Sequence, residues 1–231
     1  MLIGIGAPSL SAVIADVRHS SQSGWTVPRL TVMPLGDSIT FGTGSSTGSG
    51  YRADLLDRLT SHSEEVRFVG SQRSGEAPVR EHEGHYGWKI GGLTGRTAGW
   101  LAAARPNVVL LHIGTNDMHD DYRASRAPER LAELIDEIVV AAPGVTVLVS
   151  SLVPSADPGT QERIERFNRA VPQVVAEYQD KEFRVEYVDM SRVTATDLRD
   201  DLHPNDGGYR KMADAFYRGI AGAAAKGWIR Q

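Results

Sequence analysis

The chain has 231 residues, 41% of them hydrophobic and 23% charged, which fits a single globular domain and excludes wholesale disorder. It contains no cysteine, so a disulfide framework, a thiol nucleophile, cysteine-ligated zinc and iron–sulfur clusters are all ruled out. A formal charge of −4 supplies no basic surface for sequence-independent nucleic-acid binding, and no nucleic-acid partner is expected.

The first fifteen residues, MLIGIGAPSLSAVIA, are uncharged and mostly apolar. Ala12-Val13-Ile14-Ala15 offers a small residue at a cleavage point, but Met1-Leu2 supplies no basic n-region. Three readings stand: a clipped secretory signal, an ordered arm packed on the domain, or a loose tail. Residues 1–28 are therefore set apart as an amino-terminal arm or signal remnant, and 29–231 as the folded domain. No apolar run reaches the ~18–20 residues that a membrane span needs.

From residue 29 onward, strand and helix patterns alternate. Short runs rich in Val, Leu and Ile predict strands at Leu30–Leu35, Val66–Val69, Val108–Ile113, Val145–Ser150 and Val185–Val188. Leu55, Leu56 and Leu59 mark a first helix, and a second is expected from Leu93 to Ala104. Leu131, Leu134, Ile135, Ile138 and Val139 mark a third. Ile164, Phe167, Val171, Val174 and Val175 mark a fourth, in which Pro172 predicts a kink. A last helix runs from Gly208 to Ala225. The Gly42–Gly50 stretch, GTGSSTGSG, reads as a mobile loop and lacks the G-x-G-x-x-G of a dinucleotide site. Strands joined by crossover helices predict a three-layer α/β/α sandwich around a five-stranded parallel sheet.

In such a sheet, ligands bind beyond the carboxyl ends of the strands. Gly36-Asp37-Ser38-Ile39-Thr40 follows the first strand, and Gly114-Thr115-Asn116-Asp117 follows the third. Glu81-His82-Glu83-Gly84-His85-Tyr86-Gly87-Trp88 lies between the second and third. Asp200-Asp201-Leu202-His203-Pro204-Asn205 comes after the fifth. Taken singly, Ser38 reads as a helix cap, Asn116 as a turn residue and His203 as a loop histidine. Together they compose an acyl-transfer site. A serine nucleophile needs a base within reach, and the base needs a carboxylate to fix its tautomer. Asp200 and His203 supply both from one short turn. The Asn116 amide and the unobstructed N–H of Gly87 are candidate donors to an oxyanion, each worth about 2.7–4 kcal/mol in the transition state.

GDSIT, the glycine in GHYGW, GTND and the D-x-x-H-P pattern, in that order, resemble the four blocks of the SGNH (GDSL-like) hydrolases over residues 29–220. The resemblance implies a flavodoxin-like SGNH hydrolase fold, with Ser38 as nucleophile and first oxyanion donor. Gly87 and Asn116 are then the other donors, His203 the base and Asp200 the acid, with adjacent Asp201 the competing choice. MPLGDSIT, Gly50-Tyr51-Arg52, Phe68-Val69-Gly70-Ser71 and HEGHYGW are similar to the carbohydrate acetyl esterases of family three, related to acetylxylan esterase. That branch implies a secreted bacterial enzyme that acts on acetylated carbohydrate such as xylan, without a cofactor. The incomplete signal leaves a cytoplasmic location open. Tyr86 departs from the small residue usual there, and Trp88 either stacks on a sugar or packs beneath its loop.

Three other readings are set against this one. An α/β-hydrolase would show G-x-S-x-G, which is missing. His82, Glu83, His85, His119, Asp120 and Asp121 are dense but lack zinc spacing, so hydrogen bonds and salt bridges are the expected role and no metal is assigned. A lipase, phospholipase or thioesterase of the same family would need an apolar groove. A carbohydrate-binding protein on the same fold would not need the Ser38–Asp200–His203 set. Asp37 and Asp117 are expected to hold loop backbone.

Overall fold

In the computed structural model, which describes residues 24–230, β1 (Val27–Gly36) is the central strand. Its apolar residues are buried on both faces, because helices cover the sheet from either side. It leads into a single turn, α1 (Ser38–Phe41), then α2 (Arg52–Leu59) and β2 (Ser63–Phe68). A short hairpin, β3 (Gln72–Arg73) and β4 (Glu81–Gly84), precedes α3 (Ile90–Leu93) and α4 (Thr97–Ala104). Next come β5 (Val108–His112), α5 (Thr115–His119), α6 (Ala127–Ala141) and β6 (Thr146–Ser150). The chain closes with α7 (Pro158–Gln179), β7 (Val185–Val188) and α8 (Asp206–Ala225).

The five expected strands are present and all parallel, in the order β2-β1-β5-β6-β7. The sheet has seven strands rather than five, because β3 and β4 are added. β2 pairs with β1 from Val27 to Val32, and β4 takes over the same edge at Leu35 and Gly36. The edge opposite is filled by β5 from Val32 to Gly36. The strand that leads to Ser38 is thus held on both sides up to its last residue, Gly36.

Alternate residues of the strands feed two cores. Met33, Leu35, Val109, Leu111, Val147 and Val149 meet Leu134, Ile138 and Phe167 of α6 and α7. Leu30, Val32, Val108, Leu110 and Leu148 meet Leu55, Leu59, Met212 and Phe216 of α2 and α8.

Three expectations change in detail, and α7 gains its bounds. The second helix is two, α3 and α4, divided around Gly95 at φ +80°. α7 is a continuous 22-residue helix through Pro172, started by the Asp157 side chain accepting from Thr160 N–H. β1 begins at Val27, and ahead of it Trp25 stacks on His62 at 4.4 Å. The Gly42–Gly50 segment is not a loose loop: Ser49 is fully buried and Ser46 N–H donates to Asp206. The readings placed on residues 1–23 lie outside the described residues.

Candidate active site

Ser38 stands where β1 gives way to α1. Asp37 caps that turn, its carboxylate accepting from Ile39 N–H at 3.0 Å. Asp37 is fully buried, and desolvation pushes its carboxyl up to about 7 against the pull of that N–H. Gly42 ends the turn at φ +106°, a left-handed conformation natural to glycine.

His203 and Asp200 come from a hairpin closed by a bridge between Leu198 and Pro204, with Arg199 N–H donating to His203 O at 2.8 Å. Asp200 folds back on this turn, and its Oδ1 accepts from Leu202 N–H and His203 N–H at 2.9 and 2.8 Å. His203 Nδ1 then lies 2.9 Å from Asp200 Oδ2, and His203 Nε2 lies 2.9 Å from Ser38 Oγ. With the proton on Nδ1 directed to the carboxylate, the Nε2 lone pair is left to the serine hydroxyl. Asp201 instead uses its carbonyl, which accepts from Ser155 Oγ and Ala156 N–H.

Block two of the motif set begins on β4. His85 N–H donates to Gly36 O, and Trp88 N–H returns to His85 O, closing a turn over Tyr86 and Gly87. Gly87 sits at φ +75°, and a Cβ there would meet nothing within 4 Å. Asn116, in the first turn of α5, donates from Nδ2 to Trp88 O at 2.9 Å, which leaves its second N–H for another acceptor. Asp117 ties the same segments, accepting from Ile90 N–H at 2.9 Å and pairing with Arg130 at 2.7 Å. The two dense acidic and histidine segments are bonded within the protein. His82 accepts from Gly84 N–H and meets Ser74 Oγ, and Asp120 pairs with Lys89. Burial pulls the His82 imidazole down to about 3, so it is neutral.

Tyr86 is 68% exposed, its ring 6.5 Å from that of His203 and nearly parallel to it. Trp88 is half-buried, stacked on His85 at 4.2 Å, with the Arg96 guanidinium 5.3 Å from its ring.

One residue at the site escaped sequence reasoning. Arg52 is fully buried and faces carbonyls rather than a carboxylate: Val79 at 2.8 Å, Ser74 at 3.0 Å, Thr40, Phe41 and Gly48. It fastens α1 to the glycine-rich segment and to the hairpin of β3 and β4. Desolvation lowers it only to about 10, so it remains a cation. In the sequence Arg52 stood only within the Gly50-Tyr51-Arg52 block of the resemblance, with no role attached, and an arginine at the head of an amphipathic helix is ordinarily exposed.

A hydroxyl, an imidazole and a carboxylate bonded in series at the carboxyl edge of a parallel sheet form the arrangement of a serine hydrolase. The chain belongs to the GDSL-like lipase/acylhydrolase family, whose profile it matches over residues 35–211. It is similar in structure to a Clostridium thermocellum family 3 carbohydrate esterase, with 32% identity and a TM-score of 0.76, over 86% of this chain and 98% of that one. A carbohydrate esterase family 3 protein from Talaromyces cellulolyticus gives 26% identity and a TM-score of 0.74, over 87% and 99% of the two chains. Among curated relatives, a multidomain esterase of Ruminococcus flavefaciens is 28% identical over 95% of this chain, which spans only 32% of that longer protein. The fold also matches Axe2, an acetylxylan esterase from Geobacillus stearothermophilus, at 20% identity and a TM-score of 0.62. No helix among the described residues is long and apolar enough to cross a membrane.

Proposed function

We propose that this protein is a serine esterase that removes acetyl groups from carbohydrate esters such as acetylated xylan. The observation that carries the reading is the hydrogen-bonded series Ser38–His203–Asp200, with both links at 2.9 Å. Ser38 Oγ attacks the acyl carbon while His203 Nε2 takes its proton, and Asp200 stabilises the imidazolium. The oxyanion is met by the N–H groups of Ser38 and Gly87 and by the free N–H of Asn116. His203 gives its proton to the departing sugar hydroxyl, then activates the water that releases acetate.

The exposed Tyr86 ring beside His203 offers a flat apolar surface to a sugar, whereas the faces of Trp88 are taken by His85 and Arg96. Large hydrophobic side chains exposed among the described residues are Tyr86, Tyr122, Val140 and Phe183, a set too sparse for a long acyl groove. This favours a short acyl group over a lipid. Polymeric xylan does not cross membranes, so the reading carries export from a bacterial cell with it. The domain limits that go with it are residues 29–231, preceded by an arm or signal remnant at 1–28.

Ser38→Ala is expected to lower kcat/KM on p-nitrophenyl acetate at least ~10³-fold and to abolish fluorophosphonate labelling. Near-full activity in that variant would refute the assignment. An acyl series from C2 to C12, run beside acetylated xylan, tests the substrate: a rate that rises with chain length would favour the lipase reading.

A further inference from the structure

At the end of β4 lies a second acid–histidine pair that the proposed reaction does not use. Glu83 and His85 are 1% and 9% exposed, and Glu83 Oε2 lies 2.9 Å from His85 Nε2. Glu83 also accepts from the N–H and the hydroxyl of Ser71. The His85 ring stacks on two indoles, Trp88 at 4.2 Å and Trp100 at 4.6 Å, which are themselves tilted by 38° with centroids 6.2 Å apart. Its main chain is fixed as well, N–H to Gly36 O at 2.9 Å and O to Trp88 N–H at 3.1 Å.

Those two main-chain bonds make His85 the first residue of the turn whose third residue is Gly87. Gly87 is exposed and has no side chain to hold it, so the direction of its N–H is set by the ends of the turn. Asn116 holds the far end through Trp88 O. His85 holds the near end, and Glu83 holds His85. Stability gives a weak reason for such an arrangement, since replacing both partners of a buried hydrogen bond by apolar groups of the same shape can be nearly neutral. Direction gives a better one, because a displacement of about 1 Å at a reacting centre costs about 10²-fold in rate.

We propose that Glu83 and His85 are positioning residues for the oxyanion hole, fixing the turn that presents the Gly87 N–H to the developing charge. The inference rests on the Ser38 esterase reading. The double variant Glu83→Gln/His85→Phe retains an aromatic ring against the two indoles and removes the polar link. It is expected to melt cooperatively near the parent's temperature, with KM on p-nitrophenyl acetate within about twofold and kcat lower by about 10–100-fold. In an Asn116→Ala background, where the hole is already disabled, the same pair of changes should cost less than about threefold.

A kcat within twofold of the parent in the folded double variant overturns the proposal, and so does a loss that multiplies fully with Asn116→Ala. The parent supplies a measurement that needs no variant. With a phosphonate on Ser38, Gly87 N should lie within hydrogen-bond distance of the phosphonyl oxygen while Glu83 and His85 remain bonded; a turn that swings away overturns the role. Ser38→Ala separates the two readings. If it stays active, the esterase site itself is wrong. If it is inactive while Glu83→Gln/His85→Phe keeps full kcat, only the positioning role falls.

Discussion

Asp200 carries opposing influences on its charge. Burial pushes its carboxyl up, but the N–H groups of Leu202 and His203 and the His203 ring outweigh this and hold it below the ordinary carboxylate range. Asp200 is therefore ionised across the neutral range and stays so until the pH falls through its depressed pKa. Asp200→Asn should lower kcat by about 10²–10⁴-fold by disfavouring the productive tautomer, while Asp201→Asn stays within twofold, both read on p-nitrophenyl acetate. Asp37 has the opposite sign. Its carboxyl, raised by burial to about 7, binds a proton in the folded chain that the unfolded chain releases above its ordinary value near 4. Stability should thus fall as pH rises from about 4 to about 7, by up to about 4 kcal/mol. Asp37→Asn, which can still cap α1, should flatten that slope in melting curves taken across the range. The adjacent Asp-Asp pair in the sequence shows why Asp201 had to be weighed. Spacing from His203 favoured Asp200, but only the turn decides which carboxylate folds back.

At the scale of elements, β1, β5, β6 and β7 were legible because apolar runs buried on two faces have few other uses. β4 was not. Glu81-His82-Glu83-Gly84 has the composition of a solvated loop, yet His82 and Glu83 are buried and each is satisfied by hydrogen bonds that no periodicity reveals. The glycine-rich segment misled for a related reason. Its low complexity suggests looseness, but the residue that fastens it, Arg52, lies outside it. Arg52→Met should destabilise the fold by about 3 kcal/mol or more, since it strands several buried carbonyls at once. Urea unfolding measures this. Gly44 shows how closely the segment meets His203. At φ +94°, a Cβ there would lie 2.6 Å from Pro204 O and 3.1 Å from His203 Cβ. Gly44→Ala should cost kcat more than about tenfold while circular dichroism stays native, because the 198–204 hairpin is pushed off Ser38.

For the molecule as a whole, the two cores share every central strand, so neither face has a stable existence alone. Trp88 and Trp100 pack with one core, Trp25 and Trp228 with the other. Single-tryptophan variants reporting from opposite faces should give one urea midpoint, coincident with far-ultraviolet circular dichroism. Two midpoints would mean that the layers come apart separately. A chain without cysteine builds this cooperativity from burial and hydrogen bonds alone, and reductant should leave the midpoint unmoved.

In the proposed reaction, acid and base ride on one hairpin, while the nucleophile opens α1 just past the central strand. The bond between Asp200 and His203 is internal to one turn, but the bond between His203 and Ser38 links residues 165 apart in the chain. Such a machine idles before it breaks. Activity on p-nitrophenyl acetate is therefore expected to fall, and to return on cooling, at temperatures below the midpoint read by circular dichroism; loss only at that midpoint would show that hairpin and sheet part together.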